Sequence, residues 1–194
     1  MSSSESETRS KILEATWQLM EQNQGQGVRM GDIAKAAGIS RQAVYLHFEN
    51  RTDLLIATIK YVDEIKGLDE RLKVLAKARD SVDLLDKLID VWGNYMPEIY
   101  GIAKALMVLR DQDEDHAAAW QGCMDCLRGA CRDVAKDLKS EKKLATGWTI
   151  DAATEMLMVQ LSFQTWEQLT IEEAWPQGQY IKRLKLMLKS SLVA

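Results

Sequence analysis

Apolar residues recur along most of this chain at the three- and four-residue spacing of amphipathic helices, and few stretches alternate as a half-buried strand would. Residues 10–22 carry Ile12, Leu13, Leu19 and Met20, with Ala15, Thr16 and Trp17 between them, which predicts a first helix ended by the two-glycine run 23–27. Met30, Ile33, Ala34 and Ala37 space a short second helix, and Gly38 stands where a left-handed residue closes one. Ser40 is placed to N-cap a third helix over 41–48. Glu49-Asn50 breaks the pattern, and a fourth helix from 51 or 52 runs through Leu54, Leu55, Ile59, Val62 and Ile65 to near Gly67. Further helices are predicted over 81–95, stopped by Pro97, then over 98–109, 115–138, 149–169 and 177–192. Charged breaks fall at 111–115 and 139–143. The expectation is an all-α chain of about nine helices. It divides into a disordered arm over 1–7, a first domain of three helices over 8–51, and a second, longer helical domain over 52–194.

Composition adds a few limits. The 194 residues are 46% hydrophobic and 28% charged, ordinary for a globular protein with a buried core, and only 2 are proline. A net charge of −4 argues against broad nonspecific binding to nucleic acid. The charge is uneven, however. Between 8 and 51, Arg9, Lys11, Arg29, Lys35, Arg41 and Arg51 outnumber Glu14, Glu21, Asp32 and Glu49 by two, a sign that favours phosphate contact there. The Ser/Glu-rich start has no apolar core and does not read as a signal peptide. No apolar stretch is long enough to span a bilayer. Cys123, Cys126 and Cys131 cluster within nine residues, unlike a secreted disulfide framework, so a reducing cytoplasm is the expected setting.

The informative stretch is Ile33-Ala34-Lys35-Ala36-Ala37-Gly38-Ile39-Ser40-Arg41-Gln42-Ala43-Val44-Tyr45-Leu46-His47-Phe48. Two short helices joined by a glycine turn make a helix-turn-helix. Ile33, Ala34 and Ala37 would pack the first helix down, while Ile39, Val44 and Phe48 hold the second. That frees Arg41, Gln42, Ala43, Tyr45 and Leu46 or His47 to face outward, as a helix entering the major groove requires. A helical corner packed inside an unrelated protein is the alternative, but it would rarely expose such donors.

These residues, with Tyr45-x-His47-Phe48-x-x-Arg51-x-x-Leu54-Leu55, resemble the TetR family of transcriptional regulators over about 8–55. Beyond Leu55 the likeness is architectural only. The resemblance implies a homodimeric repressor on a palindromic double-stranded DNA operator, one recognition helix per half-site. It implies phosphate contacts from Tyr45, His47 and Arg51, where the family usually has Tyr, His and Lys, and a cap from Ser40 whose helix N-terminus attracts phosphate. Arg29 stands where a capping Thr is common, which exchanges a cap for a cation. Gln42 stands where a small residue is common and can pair bidentately with adenine. Arg29, Ser40, Arg41, Gln42, Ala43, Tyr45, His47 and Arg51 are therefore the expected DNA-binding set.

Five of the six tryptophans and most of the methionines lie beyond this segment. Such a stripe is usually core, but as a set Trp92, Met96, Met107, Trp120, Met124 and Phe163 are the expected lining of a cavity for a small apolar or aromatic effector. Leu157, Leu161, Leu184, Met187 and Leu188 on the last two long helices are the expected dimer contacts, since two helices per subunit make a four-helix bundle. The cysteines with His116 invite a metal or thiol-sensor reading, but one helix offers poor tetrahedral geometry, so no metal and no cofactor are expected. Asn50-Arg51-Thr52 matches a glycosylation acceptor by accident. An enzyme is disfavoured: there are only 2 histidines and no nucleophile elbow, phosphate-cradling loop or zinc-protease motif, so no catalytic residue is assigned.

Overall fold

The computed structural model describes residues 3–23, 28–111 and 114–194. Among them are ten α-helices and no sheet: α1 (Ser3–Asn23), α2 (Met30–Ala36), α3 (Arg41–His47), α4 (Arg51–Ile65), α5 (Leu68–Leu72), α6 (Ser81–Leu109), α7 (Glu114–Ser140), α8 (Ile150–Gln160), α9 (Phe163–Glu167) and α10 (Gln177–Leu192). The chain forms two compact units. The first comprises Met1–Gly67 and Ile99–Cys123, the second Leu68–Glu98 and Met124–Ala194. This division differs from a boundary at residue 51. The first unit returns for residues 99–123 after a stretch that belongs to the second.

In the first unit, α1 packs on α2 and α4, and α2 on α3. Ile12, Met20, Ile33, Val44, Phe48 and Leu54 fill its core, each 0–1% exposed, which accounts for the apolar spacing of these helices. Helix α1 starts at Ser3, inside the segment expected as an arm, and an ion pair from Lys11 to Glu7 (2.9 Å) lies on its exposed face. Beyond Asn23, the predicted glycine stop lies outside the described residues, as does the middle of the 111–115 break. A Cβ at Gly101 of α6 would come 2.9 Å from Glu21 Cγ, so the end of α1 approaches α6 as closely as glycine permits.

In the second unit, Leu85, Ile89, Leu138, Leu157 and Tyr180 are fully buried. Two expectations change here. Helix α6 does not stop at Pro97 but runs on to Leu109. Proline has no amide hydrogen for the Gly93 carbonyl four residues back. Gln177 Nε2 of α10 donates to that carbonyl instead, while Trp166 Nε1 donates to Gln177 Oε1 (3.0 Å). The helix expected over 149–169 is broken at Leu161-Ser162, where Ser162 caps α9 by accepting from the Thr165 amide (3.2 Å). Trp92 Nε1 donates to the Leu161 carbonyl exposed by the break (2.7 Å). Distant side chains thus decide where these two helices continue and stop.

Candidate nucleic-acid interface

The turn between α2 and α3 is built from backbone hydrogen bonds. The Gly38 amide donates to Lys35 O (3.2 Å) and the Ile39 amide to Ala34 O (3.0 Å), with Gly38 at φ +71°. This pair of bonds around a left-handed residue closes a helix and turns the chain sharply. Ser40 Oγ then accepts from the Ala43 amide (3.1 Å), the cap expected of it. Arg29 occupies the N-cap position of α2 and its side chain makes no cap hydrogen bond, so the hydroxyl cap is lost there. Arg29 is exposed.

Val44 and Phe48 anchor α3, at 0% and 1% exposure. Arg41 and Gln42 are exposed, Ala43 and His47 half-buried, and Tyr45 is 44% exposed. The Arg41 guanidinium lies over the Tyr45 ring at 5.8 Å, which steadies both side chains on one flank. Arg9 lies over the Phe48 ring at 4.6 Å. The outer surface of α3 thus carries cationic, amide, aromatic and, at Leu46, aliphatic side chains around a buried apolar anchor.

Arg51 has company that the sequence did not announce. Its Nη1 lies 3.9 Å from Asp115 Oδ2 and its Nη2 lies 3.4 Å from Nδ1 of the buried His116, with the imidazole nitrogen as acceptor. Thr52 Oγ1 donates to Asp115 Oδ1. These partners are more than sixty residues away, at the start of α7, and no spacing rule links them to Arg51.

The expected effector set is divided between the two units. Trp92, Met96, Met124 and Phe163 belong to the second unit, Met107 and Trp120 to the first. Trp92 and Phe163 do meet, edge to face at 5.8 Å, and Met96 is buried. Of the expected dimer residues, Leu157, Leu161, Leu184 and Leu188 are 0–5% exposed and fill the core of their own unit. Met187 alone is exposed, at 42%. The same periodicity serves a core or an interface, and these leucines are taken by the core. An open groove of about 390 Å³ runs beside α10, lined by Gly178, Ile181, Lys182, Lys185, Leu186 and Lys189.

Cys123 is half-buried, Cys126 exposed and Cys131 buried, and burial pushes the Cys131 thiol up to about 12. Among the described residues no three His, Cys, Asp or Glu side chains are grouped to hold a metal ion. Nor is any described helix long and apolar enough to cross a membrane.

A glycine turn, a serine-capped helix and an exposed cationic face define a helix-turn-helix DNA-binding protein. Residues 12–58 match the family described as bacterial regulatory proteins, tetR family. The HTH-type transcriptional regulator CymR of Pseudomonas putida is 26% identical over 171 residues, covering 87% of this chain and 80% of that protein. A transcriptional regulator from Saccharomonospora viridis, solved in complex with choline, superposes with a TM-score of 0.75 at 16% identity over 97% of this chain and 99% of that one. NalD, described as the secondary repressor of the MexAB-OprM multidrug efflux pump in Pseudomonas aeruginosa, gives a TM-score of 0.72 at 19% identity over 98% of each chain. Residues 12–58 thus carry the DNA-binding segment of the TetR family, and along most of its length the chain is similar to transcriptional regulators with that segment.

Proposed function

We propose that this regulator is a cytoplasmic homodimeric repressor that leaves a palindromic operator when a small apolar or aromatic effector binds. One observation carries the reading. Helix α3 buries Val44 and Phe48 and turns Arg41, Gln42 and Tyr45 to solvent. Tyr45, His47 and Arg51 would contact phosphates, and Arg29 would add a cation beside them. Gln42 would read an adenine. For Arg51 to reach DNA, phosphate oxygens would have to replace Asp115 or share the guanidinium with it.

NalD's description as a repressor and the choline complex of the Saccharomonospora viridis protein support the repressive and ligand-responsive parts. The aromatic pair Trp92–Phe163 supports an apolar or aromatic effector, held by the second unit. The dimer face remains on the last long helices, α8 and α10, but on a different side. Leu186 (54% exposed), Met187 (42%) and Val159 (59%), with the α10 groove, offer apolar area to a second copy. Effector binding would act only through unequal affinity for the DNA-competent and incompetent states.

Selection of bound duplexes from a random pool, at stated salt, tests the reading. A palindrome with half-sites about 34–36 Å apart is expected. The enriched DNA should be released by some members of a panel of aromatic compounds. Recovery of no preferred sequence would sink the proposal.

A further inference from the structure

Helix α3 is short enough for the direction of every side chain to follow from one buried anchor. At about 100° per residue, with Val44 as the inward direction, Gln42 and Leu46 stand at about 160° and 200°, straddling the outermost line of the helix. Arg41 and Tyr45 fall on one flank, Ala43 and His47 on the other. The exposures agree: Leu46 is 82% exposed, the highest value among the exposed large apolar side chains described, and Tyr45 is 44%. An aliphatic side chain at the crest of a DNA-facing helix gains nothing from water. It also lies between the side chains that would grip phosphates on either side.

We propose that Leu46 is a second base-reading residue, recognising a thymine by its C5-methyl group. The inference rests on the reading of α3 as the recognition helix. Among base edges in the major groove the thymine methyl is the apolar feature; the other edges present donors and acceptors. Leucine pressed against those groups would strip their water and return no hydrogen bond, so it rejects guanine, adenine and cytosine at that position as well as accepting thymine. Leu46 is one helical turn beyond Gln42, about 6 Å of rise, close to the spacing of two base pairs. Gln42 and Leu46 would then read an adenine and a thymine within about two base pairs of each other, the amide setting one step and the methyl contact the next.

Deoxyuridine isolates the contact, because it keeps every hydrogen-bonding group of thymine and removes only the methyl. Each thymine of one half-site of the selected operator is replaced singly by deoxyuridine. Affinities are then measured by fluorescence anisotropy at one salt concentration for the wild-type protein, Leu46→Ala and Leu46→Met. In the wild type, one thymine is expected to show about four-fold weaker binding on replacement, the effect of one buried methyl-sized group. That thymine should lie within about two base pairs of the adenine at which Gln42→Ala loses preference. Leu46→Ala should bring the thymine-to-deoxyuridine ratio to about one, while Leu46→Met, which stays apolar, preserves it. Because Leu46 is a surface residue, unchanged helical circular dichroism is expected in both variants. Should Leu46→Ala bind too weakly to measure, the Leu46→Met ratio still decides. A wild-type protein indifferent to every replacement, the same ratio in Leu46→Ala, or its loss in Leu46→Met overturns the assignment and leaves DNA binding intact. Failure to select any DNA overturns the recognition-helix reading, and this inference with it.

Discussion

Replacing Gln177 by alanine removes the donor to the Gly93 carbonyl and the acceptor of Trp166 Nε1 in one step. At about 1 kcal/mol for each lost hydrogen bond, the expected cost is about 2 kcal/mol. In a chain of this size that lowers the thermal midpoint by about 4–8 °C. Pro97→Ala tests the reason for the first bond. It supplies an amide four residues after Gly93, so the helix can satisfy the carbonyl itself. It also removes an interior proline, worth up to about 3 kcal/mol, less about 0.4–1 kcal/mol for the freer unfolded chain. In the Pro97→Ala background, Gln177→Ala should therefore cost only the Trp166 bond, about 1 kcal/mol. The double-mutant coupling is the difference, about 1 kcal/mol. Melting followed by circular dichroism gives all four values, at one protein concentration because self-association would move the midpoint. Equal cost of Gln177→Ala in both backgrounds, or destabilisation by Pro97→Ala, would refute the account of how α6 passes its proline.

Arg29→Thr should pull in two directions: stability rises by about 1 kcal/mol through a regained α2 cap, while the slope of log affinity against log salt shrinks by about one as a cation leaves the DNA face. Parallel melts and salt titrations separate the two. Asp80, Asp83 and Glu141 are held below the ordinary carboxylate range, Asp80 first by the Asp83 amide, Asp83 by Lys87, and Glu141 by Lys143. Their folded values are depressed, so their stabilisation is present above the unfolded pKa of about 4 and is lost as pH falls through the folded values. The melting midpoint should drop on acidification, less steeply in Asp83→Asn; identical slopes would count against it. Thiol titration of the native protein at about pH 8, just below the ordinary thiol pKa, should label Cys126 and spare Cys131, which burial keeps protonated; rapid labelling of Cys131 without denaturant would contradict its burial.

The DNA-binding segment is legible because its determinants are local. Gly38, Ser40 and the spacing of Ile33, Ala34, Val44 and Phe48 fall within sixteen residues, and each acts on neighbours a turn away. Pro97 misleads because its remedy sits on Gln177, 84 residues from Gly93 along the chain. The break at Leu161-Ser162 escapes the pattern for a similar reason: the freed carbonyl is claimed by Trp92, 69 residues earlier. Leu157, Leu161, Leu184 and Leu188 illustrate a different limit. A helical apolar stripe states that one face will be covered but does not name the cover, and here it is the chain's own core. The aromatic and methionine set suffers the same ambiguity, since its members are shared between two units. Leu46 could be placed facing outward from spacing alone, but its standing as the crest of α3 needs the burial of Val44.

The first unit is discontinuous along the chain, and this bears on how the protein can be cut and recombined. A fragment ending at Gly67 would keep all of α1 to α4 yet lack Ile99–Cys123. It would lose Gly101 beneath Glu21, and Asp115 and His116 beside Arg51. On the ribosome, those partners arrive only after the intervening stretch has been made. A transplant of this operator-binding segment onto another sensor should therefore carry residues 99–123 with it, or a matched replacement, because the border of the folded unit does not coincide with any single cut in the sequence.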